Sequence, residues 1–146
     1  MIEIRIDATD FARWLRRAGE QAQASARQVL GQGVALALQH ARTTTAFKDR
    51  TGELRRSITR GQRSTWSHWL RADAKHAAYV EYGTKPHKIE ARRARALRFV
   101  QHGELRFRRS VNHPGTKPTH FMDKAADAGA RYIDWNMENE IARAFR

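Results

Sequence analysis

From Phe11 to Ala41 the apolar residues recur at steps of three and four: Phe11, Trp14, Leu15, Ala18, Ala22, Val29, Leu30, Val34, Ala37, Leu38 and Ala41. That spacing lines one face of an α-helix and predicts a long amphipathic helix over about 10–44. A helix of that length has to bury its stripe against another layer, so the remainder of the chain must supply one. Gly19, Gly31 and Gly33 interrupt the pattern, each weakening a helix by up to ~1 kcal/mol relative to Ala. The pair at 31 and 33 marks the expected kink or break.

The flanking segments read as strands, turns and a second long helix. Ile2, Ile4 and Ile6 alternate with Glu3 and Arg5, as in a half-buried strand, and Asp7 or Thr9 is placed to cap the helix that follows. Residues 46–52 read as a loop, and Leu54–Ile58 enters the sheet region through a helical turn. Gly61-Gln62-Arg63-Ser64 reads as a turn and 65–72 as a strand. Residues 75–82 make a short helix, with Gly83 placed to end it in the left-handed conformation. Strands are expected at 87–91, 95–100 and, with a bulge, 105–111; residues 101–104 form the hairpin loop between the last two. Pro114 and Gly115 occupy type II turn positions. A final helix over about 119–145 carries a stripe of Phe121, Ala125, Ala128, Tyr132 and Trp135, widened by Ile133, Met137 and Ile141. The expected architecture is α+β: one domain over 1–146, with a mostly antiparallel sheet. A long N-terminal helix, a short middle helix and a C-terminal helix pack on one face. Gly-Thr-Lys-Pro occurs at both 83–86 and 115–118, but the flanks differ and the two copies do not read as a true repeat.

Composition narrows the function classes. At 146 residues and 40% hydrophobic content the chain suits one globular domain. It has no cysteine, which excludes a disulfide framework, a thiolate metal site and a cysteine nucleophile. No apolar run nears the roughly 18 residues that span a bilayer, and Met1–Ile6 shows no basic leader, so a cytoplasmically made product without membrane attachment is expected. The net charge is +13, which points to a polyanion or an acidic partner surface. Residues 85–118 hold ten Lys/Arg against two Asp/Glu, a net +8. Residues 119–146 hold four against five. Arginine stems that cover sheet edges and keep the chain soluble are the competing explanation.

A search for catalysis returns little. The seven histidines (His40, His68, His76, His87, His102, His113 and His120) include no pair at zinc-helix spacing, so no metal site is expected. Glu81 and Glu90, near Lys88 and Arg92, lack the spacing of a metal-nuclease pair, and no phosphate-cradling glycine loop is present. No catalytic residue and no cofactor are expected. Trp66, Trp69, Phe99 and Phe107 alternate with arginines, as in binders that stack single-stranded bases on a basic sheet. The favoured reading places them in the core beneath the helices, with Trp69, in opposite phase to Trp66 and Leu70, facing outward.

Three segments in order carry a family resemblance. They are Thr51-Gly52-Glu53-Leu54-Arg55-Arg56-Ser57-Ile58, Ala77-Ala78-Tyr79-Val80-Glu81-Tyr82-Gly83-Thr84, and His113-Pro114-Gly115-Thr116-Lys117-Pro118-Thr119-His120-Phe121-Met122. The set, spanning about 10–130, resembles the tail-completion, head–tail joining or minor tail proteins of long-tailed bacteriophages and prophages. The resemblance implies a non-enzymatic α+β subunit without cofactor, assembled as a homo-oligomeric ring (a hexamer) in the virion tail or neck after synthesis in the host cytoplasm. It implies contact with other tail and neck proteins and proximity to DNA without sequence specificity; such subunits can be monomeric in solution. A basic ring lining would hold DNA by its phosphates, so the arginines at 92–109 are expected to face acidic neighbours or lie outside the bore.

Within those segments each residue type suggests a role. Thr51 and Gly52 set the turn out of the long helix, and Leu54 and Ile58 bury beneath that helix. Tyr79 and Val80 pack the short helix down. Glu81, alone in its segment, is read either as an ion pair to a neighbouring subunit or as an intrachain pair. Pro114, Gly115 and Pro118 stiffen a loop beside the terminal helix, and a rigid loop loses little entropy on docking. Gly83, Thr84, His113, Thr116 and Phe121 complete the candidate interface and structural motif. The alternative readings are a basic nucleic-acid-binding module and a small toxin-like nuclease.

Overall fold

The computed structural model describes residues 1–16, 19–92 and 94–144. In chain order the elements are β1 (Ile2–Asp7), α1 (Thr9–Leu15), α2 (Glu20–Thr43), α3 (Glu53–Ser57), β2 (Ile58–Ser64), β3 (Ser67–Ala72), α4 (Ala77–Tyr82), β4 (His87–Glu90), β5 (Leu97–Gln101), β6 (Glu104–Arg108), β7 (Ser110–His113) and α5 (Phe121–Ala144). The class is α+β and the pairing is antiparallel, as the patterning predicts.

The body has two layers. β1, β3 and β2, in that spatial order, form a three-stranded sheet. α2 packs on β2 and β3, and α5 on α2 and β1. The α2 stripe is buried at Ala22, Ala26, Val29, Leu30, Val34, Ala37 and Ala41. One core cluster joins Leu54, Ile58, Leu70, Ala77, Phe121 and Met122; the other joins Leu30, Val34, Ile133 and Met137. Arg42 ties the end of α2 to the sheet by donating from Nε and Nη2 to the Ile58 carbonyl at 3.1 and 2.6 Å.

Several expectations are corrected. The long helix does not break at 31–33. It divides at Gly19, and α2 runs unbroken through Gly31 and Gly33. Gly33 instead admits α5: a Cβ there would lie 2.3 Å from Ile133 Cγ1, and a Cβ at Gly129 would lie 2.7 Å from the Gly33 carbonyl oxygen. The two helices cross where neither carries a side chain. Residues 61–64 are not a turn but the end of β2, with Gly61 paired to Trp69. A Cβ at Gly61 would meet the Trp69 indole at 2.2 Å, so this glycine makes room for a cross-strand ring. The segment 105–111 is two strands, β6 and β7, with different partners. Trp135 is 70% exposed, and the buried stripe of α5 instead follows Phe121, Met122, Ala125, Ile133 and Met137. The side chains expected at Leu15, Ala18 and Ile141 lie outside the described residues. Among the described residues no helix is long and apolar enough to cross a membrane.

The largest departure concerns 84–116. These strands do not join the body sheet under the helices. β4 pairs with β7, and β5 with β6, as two-stranded ribbons. The Ala91 N–H to Arg109 carbonyl bond of 3.0 Å extends the β4–β7 ladder toward the outer ribbon. The outer hairpin turns at His102 (φ 52°) and Gly103 (φ 82°), both in the left-handed region that a two-residue type I′ turn requires. The result is an arm that leaves the body at Thr84 and returns at Thr116.

Candidate functional site

The arm and its attachment bring most of the candidate residues together. Gly83-Thr84 and Gly115-Thr116, from the two Gly-Thr-Lys-Pro copies, form an antiparallel bridge. The Thr84 N–H donates to the Thr116 carbonyl at 3.0 Å and the Thr116 N–H to the Thr84 carbonyl at 3.1 Å. The two threonine hydroxyl oxygens lie 3.2 Å apart. Each glycine faces the other copy's threonine: a Cβ at Gly83 would sit 2.4 Å from the Thr116 oxygen, and a Cβ at Gly115 2.3 Å from the Thr84 oxygen. Gly83 has φ 72° and ψ −176°. Its φ lies in the left-handed region expected of it, while its ψ is extended and not helical, and that extension lets Thr84 pair. Gly115 has φ 85°, as the type II turn after Pro114 requires. The copies are not repeats of a fold unit but two halves of one pairing device.

Glu81, two residues before Gly83, is fully buried. Its Oε2 accepts the Met122 N–H at 2.9 Å and its Oε1 the Asp123 N–H at 3.2 Å. These are N–H groups of the first turn of α5, which no carbonyl of that helix can satisfy, and a carboxylate is favoured at this positive helix end. In return the Val80 and Glu81 carbonyls of α4 accept the Thr119 N–H at 3.2 and 3.1 Å, and the Glu81 carbonyl also accepts the His120 N–H at 3.1 Å. The two helix ends thus cap one another. Both readings of Glu81, an ion pair to a neighbouring subunit and an ion pair within the chain, are corrected: among the described residues it makes no ion pair, and burial turns the carboxylate onto backbone N–H groups of its own α5 helix. Tyr79, expected to pack α4 down, is 61% exposed; Val80 and Ala77 perform that packing.

The remaining motif residues converge through the core. Leu54 is buried beside Phe121 and Ala77, so each of the three segments singled out by resemblance contributes a core side chain to one cluster. Phe47 meets Phe121 edge-on at 4.8 Å, and the Arg55 guanidinium lies 4.8 Å from the Phe47 ring. Gly52 (φ 72°) turns the chain into α3 as expected. The residue that satisfies α3 was not singled out in the sequence: Asp49 accepts the Arg55 N–H at 2.8 Å, and that bond above all holds its carboxyl below the usual carboxylate range. Thr51 Oγ1 accepts the Glu53 N–H at 3.3 Å. His113 Nδ1 accepts the Gly115 N–H at 3.1 Å, and its ring stands 5.1 Å from that of its cross-strand partner His87. Pro118 abuts Gly83.

Glu81, His120 and Asp123 place ligand-type atoms within 4.8 Å of one another, a grouping invisible at sequence separations of 39 and 42. The Glu81 oxygens are engaged by α5 N–H groups, and a helix N-terminus repels cations. This is a helix-capping cluster.

The arm itself is exposed. β6 is exposed at every residue, and Val100, Leu105 and Phe107 retain 69, 48 and 56% of their surface. In the β5–β6 register Val100 faces Leu105 and Arg98 faces Phe107. These four side chains share one face of the ribbon. The expectation that Phe99 and Phe107 lie under the helices is therefore corrected: β5 and β6 pack on each other and on no other element to a comparable extent. Trp69 does lie on the face opposite the buried Leu70, half-covered, with the Arg71 guanidinium 4.8 Å from its ring. Of the arm's cations, Lys88 pairs with Glu90 at 2.8 Å and Arg106 with Glu104 at 2.6 Å. Arg98 and Arg108 make no ion pair among the described residues. No family model, no curated protein and no solved structure matches the chain.

Proposed function

We propose that the chain is a structural assembly subunit of a phage or prophage virion, of the tail-completion or head–tail joining kind. In this reading it works without chemistry, by docking its arm on copies of itself and on neighbouring tail or neck proteins, and its working location is the virion. The observation that carries the reading is the arm: an unsupported two-stranded ribbon whose apolar face of Val100, Leu105 and Phe107 is turned to water. A lone hairpin is at best marginally stable in water, so this one gains most from a partner surface. The clasp at its base supports the same reading, because a preorganised arm loses less entropy on docking.

Size-exclusion chromatography with light scattering, with and without the tail-tube protein, tests the proposal. The comparison variant replaces Arg92–Arg108 by Asn-Gly, joining the hydrogen-bonded pair Ala91 and Arg109 by a two-residue turn. The full chain is expected to form oligomers or a complex with the tube protein, and the shortened chain to remain monomeric. A full chain that neither self-associates nor binds the tube protein refutes the reading. A second reading, nucleic-acid binding, is favoured by Arg98 across from an exposed Phe107. It predicts oligonucleotide binding that falls steeply with added salt.

A further inference from the structure

The body carries a groove whose character is the complement of the arm. It opens between the β1–α1 segment and helices α2 and α5, with a cavity volume of about 870 Å³. That lies within the range of roughly 300–1,000 Å³ typical of binding clefts. Its floor is apolar, made by Phe11, Leu30, Ile133 and Met137. Its rim is acidic, with Asp10, Asp134 and Glu138. Arg5 is the one cation of the lining, and it is already paired with Asp7. Asp134 and Glu138 make no ion pair among the described residues.

We propose that the ribbon face bearing Arg98, Val100, Leu105 and Phe107 of one copy docks in this groove of a second copy. The inference rests on the assembly reading above and names the arm's partner. Both halves of the match are on the molecule. An exposed apolar patch flanked by the Arg98 guanidinium meets an apolar floor flanked by the Asp134 and Glu138 carboxylates, Asp10 on the same rim being paired with Arg13. The chain's own arm leaves its own groove open, since β5 and β6 pack on no body element to a comparable extent. A nucleic acid accounts for less. Phosphates would engage Arg98, and a base would stack on Phe107, but Val100 and Leu105 offer neither charge nor a π-face. A protein groove accounts for all four. Opposite charge across such a contact also steers encounter and fixes orientation.

The absence of cysteine makes the test direct. One preparation carries Val100→Cys on the arm. Others carry Ala130→Cys or Ala8→Cys, which lie in the groove lining, or Gln39→Cys on an exposed position of α2 as control. Arm and body preparations are mixed in equal amounts with oxidised glutathione and resolved without reductant. The heterodimer of Val100→Cys with either groove cysteine is expected at least tenfold above that with Gln39→Cys. Adding Asp134→Lys and Glu138→Lys to the groove chain is expected to remove most of that excess, and Arg98→Glu in the arm chain to restore part of it. Equal yields at groove and control positions overturn the proposal. If the arm-shortened chain still loses oligomers or tube-protein binding, the assembly reading survives and the arm's partner lies elsewhere. If the only protection of the Val100→Cys thiol comes from added oligonucleotide, both fall and the nucleic-acid reading stands.

Discussion

Glu81→Ala is the substitution whose consequence the structure fixes most tightly. It removes a buried carboxylate that accepts two N–H groups from the first turn of α5, at 2.9 and 3.2 Å. The Met122 N–H then faces a buried space with no acceptor, and the part-buried Asp123 N–H loses its acceptor as well. A buried donor left unsatisfied costs about 1–3 kcal/mol, and each hydrogen bond to a charged group contributes about 1.5–3 kcal/mol. We take about 4 kcal/mol, against a total stability of about 5–15 kcal/mol for such a domain. At roughly 2–4 °C per kcal/mol for a chain of this size, the melting temperature should fall by about 8–16 °C, read by circular dichroism. Glu81→Gln keeps one acceptor but loses the charge at the helix end and turns an NH₂ toward the second donor, so about 1–2 kcal/mol is expected. The ordering Ala worse than Gln worse than Glu is the signature of capping. A Glu81→Ala protein that melts within about 2 °C of the natural chain would refute the reasoning, and would require the carboxylate to act away from α5.

Other consequences follow from the clasp and the first turn. Gly115→Ala and Gly83→Ala each put a Cβ within 2.4 Å of a facing carbonyl oxygen at positive φ; each should loosen the bridge by about 1–3 kcal/mol. Hydrogen exchange should then accelerate at Thr84 and Thr116 while α2 stays protected; unchanged exchange counts against the bridge as the arm's anchor. Asp7 accepts the Thr9 side-chain hydroxyl and the Thr9 N–H, with Arg5 beside it, and its pKa is lowered from 3.8 to about 2. A group with a depressed folded pKa contributes stability above its unfolded value and loses it as pH falls through the folded one. Asp7's contribution should therefore be complete above about pH 4 and vanish toward pH 2. Asp7→Asn should show a shallower loss of melting temperature across that window than the natural chain; parallel curves would contradict this.

The body was largely legible in the sequence because its signals are periodic and local. The α2 stripe and the alternation of Ile2, Ile4 and Ile6 with charged residues follow directly from helix and strand geometry. Glycine was the chief source of error, since one residue type serves several physical ends. From the sequence Gly33 suggests a kink in the long helix and Gly61 the start of a turn. They are instead places where α5 and the Trp69 ring approach too closely for a Cβ. The site was legible only in its members. Glu81 stands out by its isolation, yet its partners Met122 and Asp123 lie 41 and 42 residues away, and nothing local to it encodes that a carboxylate will meet a helix end. The Gly-Thr-Lys-Pro copies were visible as a duplicated string, but their meaning is a pairing between them. The arm was misplaced for a related reason: Phe99, Leu105 and Phe107 have the alternation of a half-buried strand, and alternation alone does not name the layer that covers it.

That last ambiguity carries the argument about assembly. Alternating apolar residues on a strand imply a covering layer, and in this chain the arm's covering layer does not come from its own helices. The segment 85–118 also carries a net +8 of the chain's +13, so the arm is both the least covered and the most charged part of the molecule. Self-repulsion along a ribbon of that charge weakens it in isolation, and docking in an acidic apolar groove, as proposed above, would relieve both defects at once. Arm and groove are different surfaces, so the docking proposed above would join copies head to tail. Such a contact closes into a ring when its rotation divides a full turn. In the proposed arrangement Arg98 of each arm faces a neighbour's Asp134 and Glu138. On the proposed docking, that part of the charge which would hold DNA if it lined a channel lies between subunits.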